Sequence, residues 1–362
     1  MKLLRSMFLL AMLTTIATMT GHTAAQTKTA KDPGPLTIKS QGSFFVGGEN
    51  KTITQPGFGP NAPATSGDIT VNQMYVQFQI PMKGASHIPV VMVHGCCLSS
   101  KTWETTPDGR MGWSEYFVRK DRSVYLADQV SRARSGFDPT AFSDVRQGKA
   151  TVDKMPNILD ATHQVGWTVF RFGPKFGEVF PDEQFPMQAA DEFYKQMIPD
   201  LNSTLGAAPT ATWTQMAALG VKLNGAVLMG HSESGFFPEQ AALINPAGIR
   251  GNISIEMPCV TNFSAAQIAT LAKIPTLIMF GDHLNDMPAG GIANWGQSFA
   301  SCNTFVDQLK KAGGDAEMMH LPALGIKGNS HMLMQDRNSD QLADLVISWI
   351  DKHVEKKASA TR

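Results

Sequence analysis

The chain has 362 residues, with 31 basic against 31 acidic side chains and a formal net charge of zero. No bulk electrostatic attraction therefore selects nucleic acid or an anionic membrane surface, and small or neutral partners remain open. Four cysteines, Cys96, Cys97, Cys259 and Cys302, are too few for a disulfide-built scaffold, but their even number allows three pairings.

The chain opens with Lys2 and Arg5, an apolar run from Met7 to Ile16, and small residues through Ala24 and Ala25. These are the three parts of a secretory leader, and the run is shorter than the ~20 residues that span a bilayer. Residues 1–25 are expected to be removed as a signal peptide, leaving residues 26–362 secreted or periplasmic, where disulfides persist. No later segment is apolar over a membrane-spanning length. The remainder is somewhat above the ~250 to 300 residues at which one core stops growing, which fits one large domain carrying an insertion.

"LTIKSQGSFFVGG" and "DITVNQMYVQFQIP" read as antiparallel strands, the second alternating Val71, Met74, Val76 and Phe78 with polar neighbours. The Gly- and Pro-rich "QPGFGPNAPATSG" between them is a loop. From residue 88 the pattern changes to short continuous apolar runs: "IPVVMVHG", "SVYLAD", "GAVLMGHS", "GNISIEMP" and "IPTLIMFGD". Strands of a parallel sheet covered on both faces have this appearance. Helices are expected near Trp113 to Lys120, Glu239 to Ile244, Ala265 to Ala272, Cys302 to Ala312 and Asp340 to Val354. The alternation predicts a doubly wound α/β sheet.

The interval from about 138 to 220 is long for a single crossover and rich in aromatic rings, among them Trp167, Phe170, Phe172, Phe176, Phe180, Phe185, Phe193, Tyr194 and Trp213. An inserted cap over a ligand site has this composition. The rings could equally give the insertion a core of its own, and the two readings are compatible.

The strongest chemical signal is "GAVLMGHSESG". A serine on a tight strand-to-helix turn, with small residues two before and two after, is the nucleophile elbow. Ser232 has that spacing, between Gly230 and Ser234, although the pattern usually has glycine at the fifth place and here Gly235 comes one later. The bland alternative is a Gly-Ser turn that starts a helix. Ser234 is the rival hydroxyl.

A serine hydroxyl needs a base to take its proton, and a histidine oriented by a carboxylate does so. His331, in "GIKGNSHMLMQD", lies in a late loop just before the final helix, the place expected for the base. His22 falls in the leader, His353 in the closing helix, His94 before the cysteines and His320 at a strand end. For the acid, Glu256 ends "GNISIEMP" while Asp282 and Asp286 follow "IPTLIMFG". Spacing does not choose among them.

Backbone N–H groups must also await the negative charge that develops on a substrate oxygen. One donor is the residue after the nucleophile, here Glu233, and the other comes from a loop after an early strand, here "HGCC" with Cys96 as the donor. Adjacent cysteines seldom bond to each other, because consecutive Cα atoms are about 3.8 Å apart and ordinary disulfides prefer about 4.4 to 6.8 Å. Closure would make a strained ring that stiffens the loop; free thiols are the alternative. No second Cys or His pair stands at zinc spacing.

Taken together, "VHGCC", "DGRMGW", "ADQVSRARSGFD", "GHSESG", "SIEMP" and "LPALGIKGNSHMLMQDRN" resemble a group of secreted bacterial α/β-hydrolase esterases with a vicinal disulfide in the oxyanion loop. The resemblance covers nearly all of residues 26–362, including "GSFFVGGE", and that group also places its glycine one residue late. It implies an α/β-hydrolase fold, a serine carboxylesterase acting on a small-molecule ester, no metal or cofactor, and a homodimer. It implies Glu256, after the sixth strand, as the acid of a Ser232, His331 and Glu256 triad. It further implies disulfides joining Cys96 to Cys97 and Cys259 to Cys302. A lactonase, amidase or carbon–carbon bond hydrolase could use the same triad. From another class, a periplasmic disulfide-exchange or ligand-binding protein would rely on Cys96 and Cys97 instead.

Overall fold

Val90 to Val93, Ala226 to His231 and Thr276 to Phe280 are buried along their whole length, as continuous apolar runs must be when both sheet faces are covered. They form the middle of a sheet in the computed structural model of the chain, which describes residues 34–57, 59, 61–83, 87–201, 210–259, 262–287 and 294–356. The expected leader, His22 included, lies outside the described residues.

Among the described residues the strands are β1 (Ile38–Gln55), β2 (Thr65–Pro81), β3 (Val90–Val93), β4 (Val124–Ala127), β5 (Ile158–Leu159), β6 (Asp200–Leu201), β7 (Ala226–His231), β8 (Ile249–Ile255), β9 (Thr276–Phe280) and β10 (Ala316–His320). Eight of them form one sheet in the order β1-β2-β4-β3-β7-β8-β9-β10. β1 pairs antiparallel with β2, with Phe44 opposite Val76, and β2 pairs antiparallel with β4. From β4 to β10 every pairing is parallel. This is the expected fold class, a mainly parallel sheet extended by N-terminal antiparallel strands.

Side chains alternate between the two faces. Val90 and Met92 of β3 join one core with α1 (Trp113–Arg119) and α9 (Ser339–Ile350). Val91 and Val93 join the other, with α5 (Ala211–Lys222), α6 (Phe237–Ile244), α7 (Ala265–Leu271) and α8 (Trp295–Lys311). α8 starts seven residues before the expected Cys302, because Trp295 and Phe305 both face the core. The bridge implied between Cys259 and Cys302 is present, with Cα atoms 5.1 Å apart, tying the segment after β8 to α8.

The 138–220 interval holds α2 (Thr140–Arg146), α3 (His163–Val169), α4 (Ala190–Tyr194) and the β5–β6 pair, and then α5, which packs on β1, β2 and β7. Trp167, Phe170, Phe172, Phe185 and Phe193 are buried against one another. These rings are continuous with the apolar core that Val90, Met92, α1 and α9 form on that face of the sheet. The C-terminal ends of β3, β7, β8, β9 and β10 all open toward one edge, where ligand sites form in such sheets.

Candidate active site

β7 ends in an elbow. Ser232 has φ 55°, in the left-handed region that costs a non-glycine residue roughly 1–3 kcal/mol and recurs at functional sites. A Cβ on Gly230 would stand 1.9 Å from the Ser234 carbonyl oxygen, so the turn closes only with glycine there. The rival Ser234 is fully buried and committed: its Oγ accepts from the His231 N–H at 3.0 Å and lies 2.9 Å from the Val93 carbonyl. It pins the elbow to β3, while Ser232 is only partly buried.

The "HGCC" loop leans directly on this elbow. A Cβ on Gly95 would be 2.7 Å from Ser232 Cβ and 3.0 Å from the His231 carbonyl oxygen. His94 secures the loop from behind: its Nε2 accepts from the Gln129 N–H at 3.1 Å, leaving its Nδ1–H to donate to the Gly95 carbonyl at 2.8 Å. Burial holds the His94 pKa down at about 4, so it is a neutral support rather than a base.

The bond implied between Cys96 and Cys97 is not formed; both residues carry free thiols. Cys97 sits at φ 60°, with its N–H donated to Asp200 at 3.2 Å and its carbonyl accepting from the Ile198 N–H at 2.9 Å. That backbone is held by the insertion, and the short Cα separation of neighbours opposes ring closure. A hydrogen bond to the Cys97 thiol, and burial, push the Cys96 thiol up, which keeps it protonated and unreactive.

His331 is fully buried, with its Nδ1 3.1 Å from Glu256 Oε2. With Nδ1 donating to that carboxylate, Nε2 carries the lone pair, and among the described residues it has no hydrogen-bond partner. The His231 Nε2–H donates to the His331 carbonyl at 2.9 Å, the His331 N–H to the Phe170 carbonyl at 2.9 Å, and Trp295 packs on the imidazole with centroids 4.1 Å apart. Burial lowers the His331 pKa, opposed by the hydrogen bond and charge of Glu256 and assisted by the charge of Arg171.

Spacing left the acid open among three carboxylates; only Glu256, after the sixth strand of the main sheet, reaches His331. Asp282 accepts from the N–H groups of His283 at 2.8 Å and Gly328 at 3.0 Å, and Asp286 from His283 at 2.8 Å. Glu256 is fully buried, also at positive φ, and gripped by both ends of a guanidinium: Arg171 Nη1 and Nη2 each donate at 2.7 Å. Burial alone would raise its carboxyl, but the Arg171 charge and the His331 hydrogen bond hold it down at about 2.

Arg171 comes from the insertion, is itself fully buried, and donates its Nε–H to the Asp282 carbonyl at 2.8 Å. Sequence reasoning missed it, along with Trp295 and Arg132. The only trace was the aromatic setting of "VFRFG", which marks a core and not a charge inside it.

Among the described residues, two groups of side chains could approach a cation: Cys96, Cys97 and Asp200, and Asp182, Asp282 and His283. In the second, His283 is already bonded to Asp182 at 3.0 Å and to Asp286.

A doubly wound sheet with a strained serine elbow after β7, a late-loop histidine and an acid after β8 defines the α/β-hydrolase class. No protein-family model matches the chain. It is 25% identical over 358 residues to a probable secreted lipase, phiG, from a fungal species (strain ATCC 74256), covering 85% of this chain and 89% of that one. The solved structure of a bacterial esterase superposes with a TM-score of 0.83 at 44% identity, over 88% of this chain and 98% of that one. The chain belongs to the family of this bacterial esterase and is a carboxylic ester hydrolase.

Proposed function

We propose that the protein is a serine carboxylesterase working through an acyl-enzyme. His331 Nε2 takes the Ser232 Oγ proton as the oxygen attacks the ester carbonyl carbon, and Glu256 stabilises the imidazolium without itself becoming protonated. The carbonyl oxygen becomes an oxyanion held by the Cys96 and Glu233 N–H groups. Collapse expels the alcohol, which takes the proton back from His331. Water, deprotonated by the same nitrogen, then releases the acid and frees Ser232.

The observation that carries this reading is the alignment of an unpartnered, buried Nε2 with a 3.1 Å carboxylate contact on the other side of the same ring. It is supported by the approach of Gly95 to Ser232, which sets the neighbouring Cys96 beside the nucleophile. On this reading residues 1–25 are a leader and the mature enzyme acts outside the cytoplasm on small esters; the likeness to a secreted lipase supports export.

Ser232→Ala should abolish turnover of p-nitrophenyl butyrate and covalent labelling by a serine-reactive phosphonate. Labelling that persists in the variant sinks the assignment. A thiol-based function would instead survive Ser232→Ala and be lost in Cys96→Ser.

A further inference from the structure

The loop after β4 carries Arg132, whose side chain is 1 % exposed. A guanidinium so buried must be paired, and this one binds two carboxylates at once. Nη1 and Nη2 donate to Glu233 Oε2 and Oε1 at 2.5 and 3.1 Å, and Nε faces Asp200 Oδ1. The two acids belong to different walls of the site. Glu233 follows Ser232 in the elbow, while Asp200 lies on β6 of the insertion and accepts the Cys97 N–H through its other oxygen.

The result is a continuous path between the two residues assigned to the oxyanion: Glu233 carboxylate, Arg132, Asp200, Cys97 N–H, and the adjoining Cys96. The position of Cys96 is set by Gly95 packed on Ser232 on one side, and on the other by Cys97 held by Asp200 and Ile198.

We propose that Arg132 is a positioning residue of the oxyanion hole, its fork fixing the separation of the Cys96 and Glu233 N–H groups by gripping Glu233 directly and Cys97 through Asp200. This rests on the serine-esterase reading above. The planar fork presents donors in fixed directions to two partners, which a lysine ammonium does not. Because the oxyanion exists only in the transition state, a displaced donor lowers kcat and leaves KM nearly unchanged. A role in folding alone would lower the fraction of active protein, with kcat per active site intact.

The test is p-nitrophenyl butyrate hydrolysis by Arg132→Lys, Arg132→Met and Asp200→Asn, each normalised to active sites counted by complete phosphonate labelling. Expected is a fall in kcat per site on the order of 10²-fold, the effect of weakening one oxyanion donor, with KM within about threefold. Arg132→Lys should not restore it. Should Arg132→Met fail to fold, Asp200→Asn keeps the Arg132–Glu233 pair and puts the same question to the Cys97 side. Unchanged kcat per site in Arg132→Lys and Asp200→Asn overturns the proposal. Turnover surviving in Ser232→Ala overturns the esterase reading beneath it, whereas a dead Ser232→Ala beside fully active Arg132 variants overturns this inference alone.

Discussion

Cys97, Arg171, Ser232 and Glu256 all hold left-handed backbone angles, φ 55° to 60°, within one site. Each such residue costs roughly 1–3 kcal/mol and persists only where the surroundings over-determine it. For Glu256 the determinants are visible: two guanidinium donors at 2.7 Å, the imidazole at 3.1 Å and the Gly281 N–H all converge on its carboxylate. Asp282, by contrast, ties two loop amides together. Glu256→Gln keeps an acceptor near Nδ1 but removes the charge that stabilises imidazolium, so kcat should fall by on the order of 10² to 10⁴. Asp282→Asn should cost less than about tenfold, the worth of one hydrogen bond. Steady-state kinetics of the two variants decide it, and a larger loss in Asp282→Asn reverses the assignment.

At the level of elements, the site is made by loops that touch only because β3 and β7 are neighbours, Val93 lying opposite Gly230. The loop after β3 fits against the elbow because position 95 has no side chain. Gly95→Ala would put a methyl 2.7 Å from Ser232 Cβ and 3.0 Å from a backbone oxygen that cannot swing away. The loop must then retreat, carrying the Cys96 N–H with it. Turnover should drop by at least about 10²-fold while far-UV circular dichroism stays that of the wild type. Near-normal activity in Gly95→Ala would separate the loop from the chemistry.

Across the whole molecule, the segment between β4 and β7 supplies the buried cation, Arg171, that neutralises the buried Glu256. Glu256 has a folded pKa of about 2, below its ordinary 4.5. A depressed carboxyl contributes stability above its unfolded pKa and loses it as pH falls from about 4.5 through about 2. Arg171→Met leaves that carboxylate buried without its counter-charge, a change that costs about 3–5 kcal/mol at neutral pH. The gap between variant and wild type should narrow as acid protonates Glu256, because a neutral carboxyl no longer needs the guanidinium. Urea midpoints at pH 7 and pH 4 measure this; a gap that is constant or widens toward pH 4 contradicts it.

Local patterns carried much of this in the sequence alone. Continuous apolar runs declare strands buried on both faces, and Gly230 and Ser232 spell a turn whose sterics are set within five residues. His331 stands in a late loop next to an amphipathic helix, so it too can be placed from its neighbours. The fold class and the candidate nucleophile and base follow from such short-range rules. The acid does not, because Glu256 and Asp282 each end a strand and only the lateral order of β8, β9 and β10 decides which one meets His331. Arg171, 85 residues from Glu256 in the chain, and Arg132, 101 residues from Glu233, carry no local signal of their buried pairing. Nor does adjacency decide the geometry at Cys96 and Cys97, because the Cys97 backbone is held by Asp200 and Ile198 about a hundred residues away. Periodicity and turn sterics act between neighbours and are written in the chain; the pairing of buried charges is a contact between distant segments, and it exists only once the sheet has brought them together.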